Sequence, residues 1–234
     1  MADQFPVLFE NETIIVRRLD DISRVDDAFV QDLKWPAGRK GQIFAFDNPI
    51  PAESFLSPRF TYSKDFSFHL NFSARREWLK GEQPAVSGVR PAATPSLEKH
   101  GQLYIKIKRR IFSQLPWVKE DPEEDKRALA AFEGKVDAYK IGYWEKGGES
   151  AGIIAVRKWK DYMQQPVDWV SWVLVEESLS REDRASTHAY IGAWLKDNVP
   201  SRVECVIGSF NTRSHKFFMK LGFKPVALHV YKES

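Results

Sequence analysis

The chain has 234 residues, of which 43% are hydrophobic and 29% charged, with a formal net charge of +3. That apolar content is in the globular range, so a disordered chain is excluded, and no run approaches the ~18 apolar residues that a membrane helix needs. Cys205 is the only cysteine, which excludes an intrachain disulfide and a multi-cysteine zinc site.

Residues 1–10 contain neither a basic leader nor a long apolar stretch, so a secretory signal is not expected and a cytoplasmic location is. Charge is unevenly spread. Residues 1–34 sum to −4, residues 35–115 to +7 and residues 116–234 to zero. The densest basic cluster is Lys106, Lys108, Arg109 and Arg110. It reads either as a solvated helix face or as an attractor of phosphate.

In chain order, Thr13–Leu19 alternates as a strand. Ile22, Val25, Phe29 and Leu33 recur at helical spacing up to Trp35-Pro36. Seven of the 13 prolines lie in residues 36–95, which read mostly as loop. Inside that segment Phe60, Tyr62, Phe66, Phe68, Leu70 and Phe72 occupy even positions against polar odd ones. This period of two predicts a strand with one aromatic face, either core or a base-stacking platform. Thr94-Pro95 starts a helix whose Leu103, Ile107, Ile111 and Leu115 share one face. Asp121-Pro122 opens another helix, ending at Gly134. Val136–Trp144 and Ser150–Trp159 form a hairpin about Gly147-Gly148, and Asp168–Val175 is a third strand. A helix over 183–198, a strand over 202–209, a helix over 212–221 and a strand over 225–231 complete an α/β order.

The string Asn211-Thr212-Arg213-Ser214-His215-Lys216-Phe217-Phe218-Met219-Lys220-Leu221-Gly222-Phe223 resembles the Asn-x-x-Ala-x-x-aromatic-Tyr-x-Lys-x-Gly-Phe signature of GNAT-type N-acyltransferases. The element order over 136–231 is similar to the GNAT core, and Thr13–Leu33 looks like its first strand and helix. The resemblance implies a mixed, mostly antiparallel central sheet flanked by helices, a single domain over 1–234, and a Pro/aromatic-rich insertion at 36–95.

It further implies acetyl-CoA or another acyl-CoA as cosubstrate, no metal, and an acyl group, most often acetyl, passed to an amine on a small molecule or protein. Acyl-CoA would lie against the end of the third core strand, at Leu174 and Val175. Its pyrophosphate would sit on the following helix N-terminus, where unpaired N–H groups and the positive dipole end favour phosphate. Arg181, Arg184, Ala185, Ser186 and Thr187 would form that cradle, with Asn211, Ser214 and Phe218 on the far side of the cofactor. The family loop has glycines that neither alignment of this chain supplies. Phe218 stands where the family often has a tyrosine acid, so a water, or another side chain such as Tyr190 or Ser214, would give the proton. Asp168 and Glu176 flank the strand from which the general base often comes.

The five histidines show no metal-ligand spacing. A second reading is a GNAT-like fold without transfer chemistry, binding a protein or nucleic acid through the basic and aromatic segment 36–115. No membrane partner is expected.

Overall fold

The computed structural model describes residues 5–20, 29, 33, 35, 41–46, 66–81, 88–92, 97–113, 122–133 and 138–232. In chain order the elements are β1 (Val7–Glu10), β2 (Ile14–Leu19), β3 (Gly41–Phe46), β4 (Phe66–Arg75), β5 (Val89–Pro91), α1 (Leu97–Phe112), α2 (Pro122–Glu133), β6 (Lys140–Lys146), β7 (Glu149–Lys160), β8 (Pro166–Val175), α3 (Arg181–Asn198), β9 (Arg202–Gly208), α4 (Thr212–Lys220) and β10 (Lys224–Lys232). They fall into two compact units. Unit 1 is Met1–Ala74, Lys160–Pro166 and Glu204–Ser234; unit 2 is Arg75–Trp159 and Val167–Val203. No helix among the described residues is long and apolar enough to cross a membrane.

Unit 1 holds strands in the order β1-β2-β3-β10-β4-β9. β1 and β2 are antiparallel, β2 and β3 parallel, and β10 runs antiparallel to both β3 and β4. A parallel pair needs a crossover between its strands. Phe29 and Leu33, from the helical stripe expected there, are both buried. The Phe29 ring meets Phe5 and Phe44 edge-on at 5.8 and 5.3 Å. β3 lies inside the segment read as loop. Its five buried residues in a row leave no alternation to recognise.

β4 is buried on both faces. Phe68, Leu70 and Phe72 fill one side, and Ser67, Asn71 and Ser73 are buried on the other. The aromatic face is therefore core and not a stacking platform; Phe60 and Tyr62 lie outside the described residues. Asn71 Nδ2 donates to Glu204 Oε2 at 3.1 Å. Glu204 is only 2% exposed, so its carboxylate depends on such donors in place of water. Asn71→Ala should cost about 1–3 kcal/mol by removing one of them, read as a lower urea midpoint.

Unit 2 holds strands in the order β8-β7-β6-β5. The β6–β7 hairpin turns through Gly147 and Gly148, both at positive φ (60° and 81°), which suits the twist of the paired strands. Leu103 and Ile107 of α1 pack with Ile153 and Leu174, and Tyr104, Ile111 and Trp172 close around them. This is the helix face expected from the spacing of four. The strand that joins the hairpin and precedes two helices is β5, antiparallel to β6. The position expected for Thr13–Leu33 is thus taken by Val89–Pro91 and α1. Three residues ending in proline give no periodic signal from which to read that strand. Thr94 and Pro95 lie outside the described residues.

Two buried histidines of unit 1 make its stability sensitive to acid. His229 of β10 pairs across the ladder with His69 of β4, and its Nδ1 lies 3.1 Å from Tyr231 Oη. Burial, with the neighbouring His69, pushes its pKa down to about 3. His215 of α4 donates from Nε2 to the Gly208 carbonyl at 3.1 Å, and burial pushes it down to about 4. The unfolded chain protonates both below about pH 6.5. Their neutral burial therefore stabilises fully above that pH and is lost as pH falls toward 4 and 3. We expect urea unfolding to show a loss of about 2 kcal/mol per histidine between pH 7 and pH 5, and a shallower loss in His215→Gln. A stability unchanged over that range would contradict the burial.

Candidate functional site

β8 ends at Leu174 and Val175, and five residues lead into α3. Ser180 caps the helix: its Oγ accepts from the Asp183 N–H at 3.1 Å and donates to Asp183 Oδ2 at 2.6 Å. This is a serine N-cap whose hydroxyl also holds the Asp183 carboxylate. Lys146, the last residue of β6, closes on the same Asp183 carboxylate. The Lys146 bond, with that of Ser180, holds the carboxyl below its ordinary range. Arg184 N–H donates to the Ser180 carbonyl at 3.0 Å, and its Nη1 donates to the Glu177 carbonyl at 2.7 Å. With Lys106 on Glu176 and Arg110 on Glu177, the turn therefore carries Arg181, Arg184, Lys146, Lys106 and Arg110 against Glu176, Glu177, Glu182 and Asp183, a surplus of one positive charge. Lys146 is the residue that the sequence reading missed. It lies 37 positions from its partner, and only the hairpin brings it there.

Ala185, Ser186 and Thr187 continue the first turns, with Ser186 and Thr187 buried. The glycine that lets the helix sit close is on the sheet. A Cβ on Gly152 of β7 would lie 2.7 Å from Thr187 Cγ2 and 3.2 Å from the Leu174 carbonyl. Gly152→Val should therefore lower stability by about 1–3 kcal/mol through overpacking, with Gly152→Ala intermediate, both read by thermal unfolding.

The two expected carboxylates are not brought together. Asp168 lies near the start of β8 and Glu176 just past its end, roughly 25 Å apart along an extended strand. Asp168 is buried and paired with Lys158 at 2.8 Å. Glu176 accepts from Lys106 Nζ at 2.7 Å and from the Ser178 N–H at 3.0 Å. Burial raises its pKa, but these donors outweigh that and leave it below the ordinary carboxylate value. A cleft of about 510 Å³ opens beside this loop, lined by Lys99, Gln102, Lys106, Ser150, Glu176 and Ser178 among others. Tyr190 lies about 14 Å along α3 from its first residue, its ring stacked on Trp144 at 6.4 Å.

In unit 1, Asn211 caps α4 by accepting from the Ser214 N–H at 3.2 Å. Phe218 is buried, edge-on to Phe217 and Phe223 at 5.2 and 5.0 Å. Gly222 follows at φ 98°, the left-handed exit that ends the helix. Cys205 is buried in β9, and burial pushes its thiol well above the ordinary range, so it is inert. Among the described residues no group of three or more His, Cys, Asp or Glu is placed to hold a metal ion.

No family model matches the sequence, and no curated protein does. Solved structures do. A functionally unknown conserved protein from Staphylococcus epidermidis is 12% identical with a TM-score of 0.50, covering 98% of this chain and 94% of that one. The chain shares the fold of that protein. Two further similar structures are a GCN5-related N-acetyltransferase from Kribbella flavida and a protein from Corynebacterium glutamicum described as histone acetyltransferase HPA2 and related acetyltransferase. The first is 14% identical, covers 94% of this chain and 81% of its own, and has a TM-score of 0.45. The second is 14% identical, covers 60% and 93%, and also has a TM-score of 0.45. At 12% identity the likeness to the Staphylococcus epidermidis protein is one of fold.

Proposed function

We propose that this protein is an N-acyltransferase that passes an acyl group, in the first instance acetyl, from acyl-CoA to an amine of its acceptor. The observation that carries the reading is the turn from β8 into α3. There a capped helix start carries Arg181 and Arg184, while Lys146 neutralises the aspartate that would otherwise repel phosphate. A pyrophosphate would take the first-turn N–H groups and the positive end of the helix, with Arg181 adding a charge-assisted bond.

In the reaction the amine nitrogen attacks the thioester carbonyl carbon, the C–S bond breaks, and the amine proton must leave while the thiolate gains one. Glu176 is held as a carboxylate by Lys106, and Asp168 pairs with Lys158. Glu176 is a weak base in that state, so the amine's proton leaves through water, with Glu176 the nearer carboxylate to the turn. Tyr190 and Ser214 are the side chains with a proton to give in place of Phe218. The second reading, binding through segment 36–115, loses support from the structure of α1. Lys106, Lys108, Arg109 and Arg110 each meet a carboxylate: Glu176, Asp125, Asp125 and Glu177.

Calorimetry with acetyl-CoA tests the proposal. Binding should weaken by about 1–3 kcal/mol in Arg181→Ala plus Arg184→Ala, the scale of lost charge-assisted bonds. Lys146→Ala should weaken it as well, by leaving the Asp183 charge bare. No heat at about millimolar cosubstrate rejects the acyl-CoA reading, and unchanged affinity in both variants rejects the placement of the cradle.

A further inference from the structure

The other end of α3 carries an unassigned cleft. It measures about 780 Å³ and is lined by Arg75, Arg76, Glu77, Lys196, Asp197 and Arg202, with Pro200 and Ser201, within the range of small-ligand sites. α3 has 18 residues, so this cleft is about 27 Å along the helix from the turn that starts it. Two adjacent arginines form one wall. Arg76 is tied down twice: its N–H donates to the Ser201 carbonyl at 2.7 Å, and its Nε donates to the Lys196 carbonyl at 2.9 Å. Arg75 lies with its guanidinium 5.3 Å from the centre of the Trp78 ring.

Neither partner is an acid. Among the described residues neither guanidinium is ion-paired to a carboxylate, in contrast to every member of the α1 cluster. A ring and a carbonyl fix the position of an arginine while leaving its charge uncompensated. Among the described lining residues four cations stand with two acids, Glu77 and Asp197, a formal surplus of two positive charges, with Arg202 engaged by a further partner. The negative end of the helix works against an anion here. Arg76 Nε answers one of the carbonyls responsible.

We propose that this cleft binds phosphate groups, as a site separate from the acyl-CoA turn. A surplus of two matches a phosphate dianion or a diphosphate, and two neighbouring guanidiniums offer the forked donors that phosphate oxygens accept in pairs. The proposal stands whether or not the chain transfers acyl groups. The same chemistry is presented by a free diphosphate and by the backbone of a single-stranded nucleic acid.

The full chain is titrated calorimetrically at low salt with inorganic pyrophosphate, and separately with a thymidine oligonucleotide. Binding of pyrophosphate alone supports a small free ligand. Tighter binding of the oligonucleotide, weakening as salt rises, supports a polymer backbone. Arg75→Gln plus Lys196→Gln should weaken one binding event by about tenfold or more, and Arg181→Ala plus Arg184→Ala, which removes any anion held at the start of α3, should leave that event in place. Arg76→Lys keeps the charge if the arginine pair proves necessary for folding, and should lose only the forked contact. Three results would overturn the site: neither probe binding at about 10 mM, affinity indifferent to Arg75 and Lys196, or loss of binding in the Arg181/Arg184 variant, which would place the anion at the other end of α3.

Discussion

The contact between Lys146 and Asp183 governs what the start of α3 can do. An aspartate in the first turn of a helix is favourable on its own, because it caps free N–H groups and meets the positive end of the dipole. The same carboxylate occupies the region that a phosphate would need. Lys146 reconciles the two roles by cancelling the charge while Ser180 holds the geometry. The hairpin turn at Gly147-Gly148 places that lysine, so two glycines at positive φ in one turn bear on the electrostatics of another. Gly152 does a parallel job in packing. By lacking a side chain it admits Thr187, so the helix start can lie close on the strands.

The distribution of charge follows a related logic. The basic surplus of residues 35–115 looks from the sequence like one phosphate-seeking surface. In the folded chain it divides into two populations. The α1 cluster is consumed by Glu176, Asp125 and Glu177. The more exposed of these pairs, at Lys106, Arg109 and Arg110, each contribute only about 0–1 kcal/mol to stability, so their main consequence is to remove free charge. Arg75 and Arg76, which are less conspicuous in sequence, are held by a ring and a carbonyl and keep theirs. The electrostatic meaning of a lysine or arginine is therefore set by what holds it in place, and composition does not report that.

Most of the C-terminal half was legible in the sequence. Strands β6 to β10 and helices α3 and α4 fall close to the expected boundaries, because each has a cap, a proline or a glycine at its ends and a clear period between them. The core role of Leu103 and Ile107 was legible for the same reason. The N-terminal half was less so. β3 is buried along its length and shows no period, and β5 is three residues long. The partners of β10 on either side, β3 and β4, come from more than 150 residues earlier in the chain, a separation to which local patterning is blind. At the site, the arginines and the cap were legible as types at a helix start. Lys146 and the Asn71–Glu204 pair were not, since each joins residues brought together only by the sheet.

The separation of Asp168 from Glu176 shapes any chemistry on this framework. A pair of carboxylates working together must share a reacting centre, and these two lie at opposite ends of one strand, each engaged by its own lysine. At Glu176 the Lys106 and Ser178 donors outweigh burial and hold the carboxyl below its ordinary range, so it is correspondingly reluctant to accept a proton. Acyl transfer to an amine does not demand more, because a thioester is already activated and the attacking amine can lose its proton to water. The larger contribution in that case is positional: holding donor and acceptor in attacking geometry lowers the barrier without a poised base. Binding energy gathered on a pyrophosphate far from the reacting carbon can be spent on that orientation. A helix start fixed by Ser180, Lys146 and Gly152 is suited to supply it, since a rigid anchor converts binding into alignment where a mobile one would not.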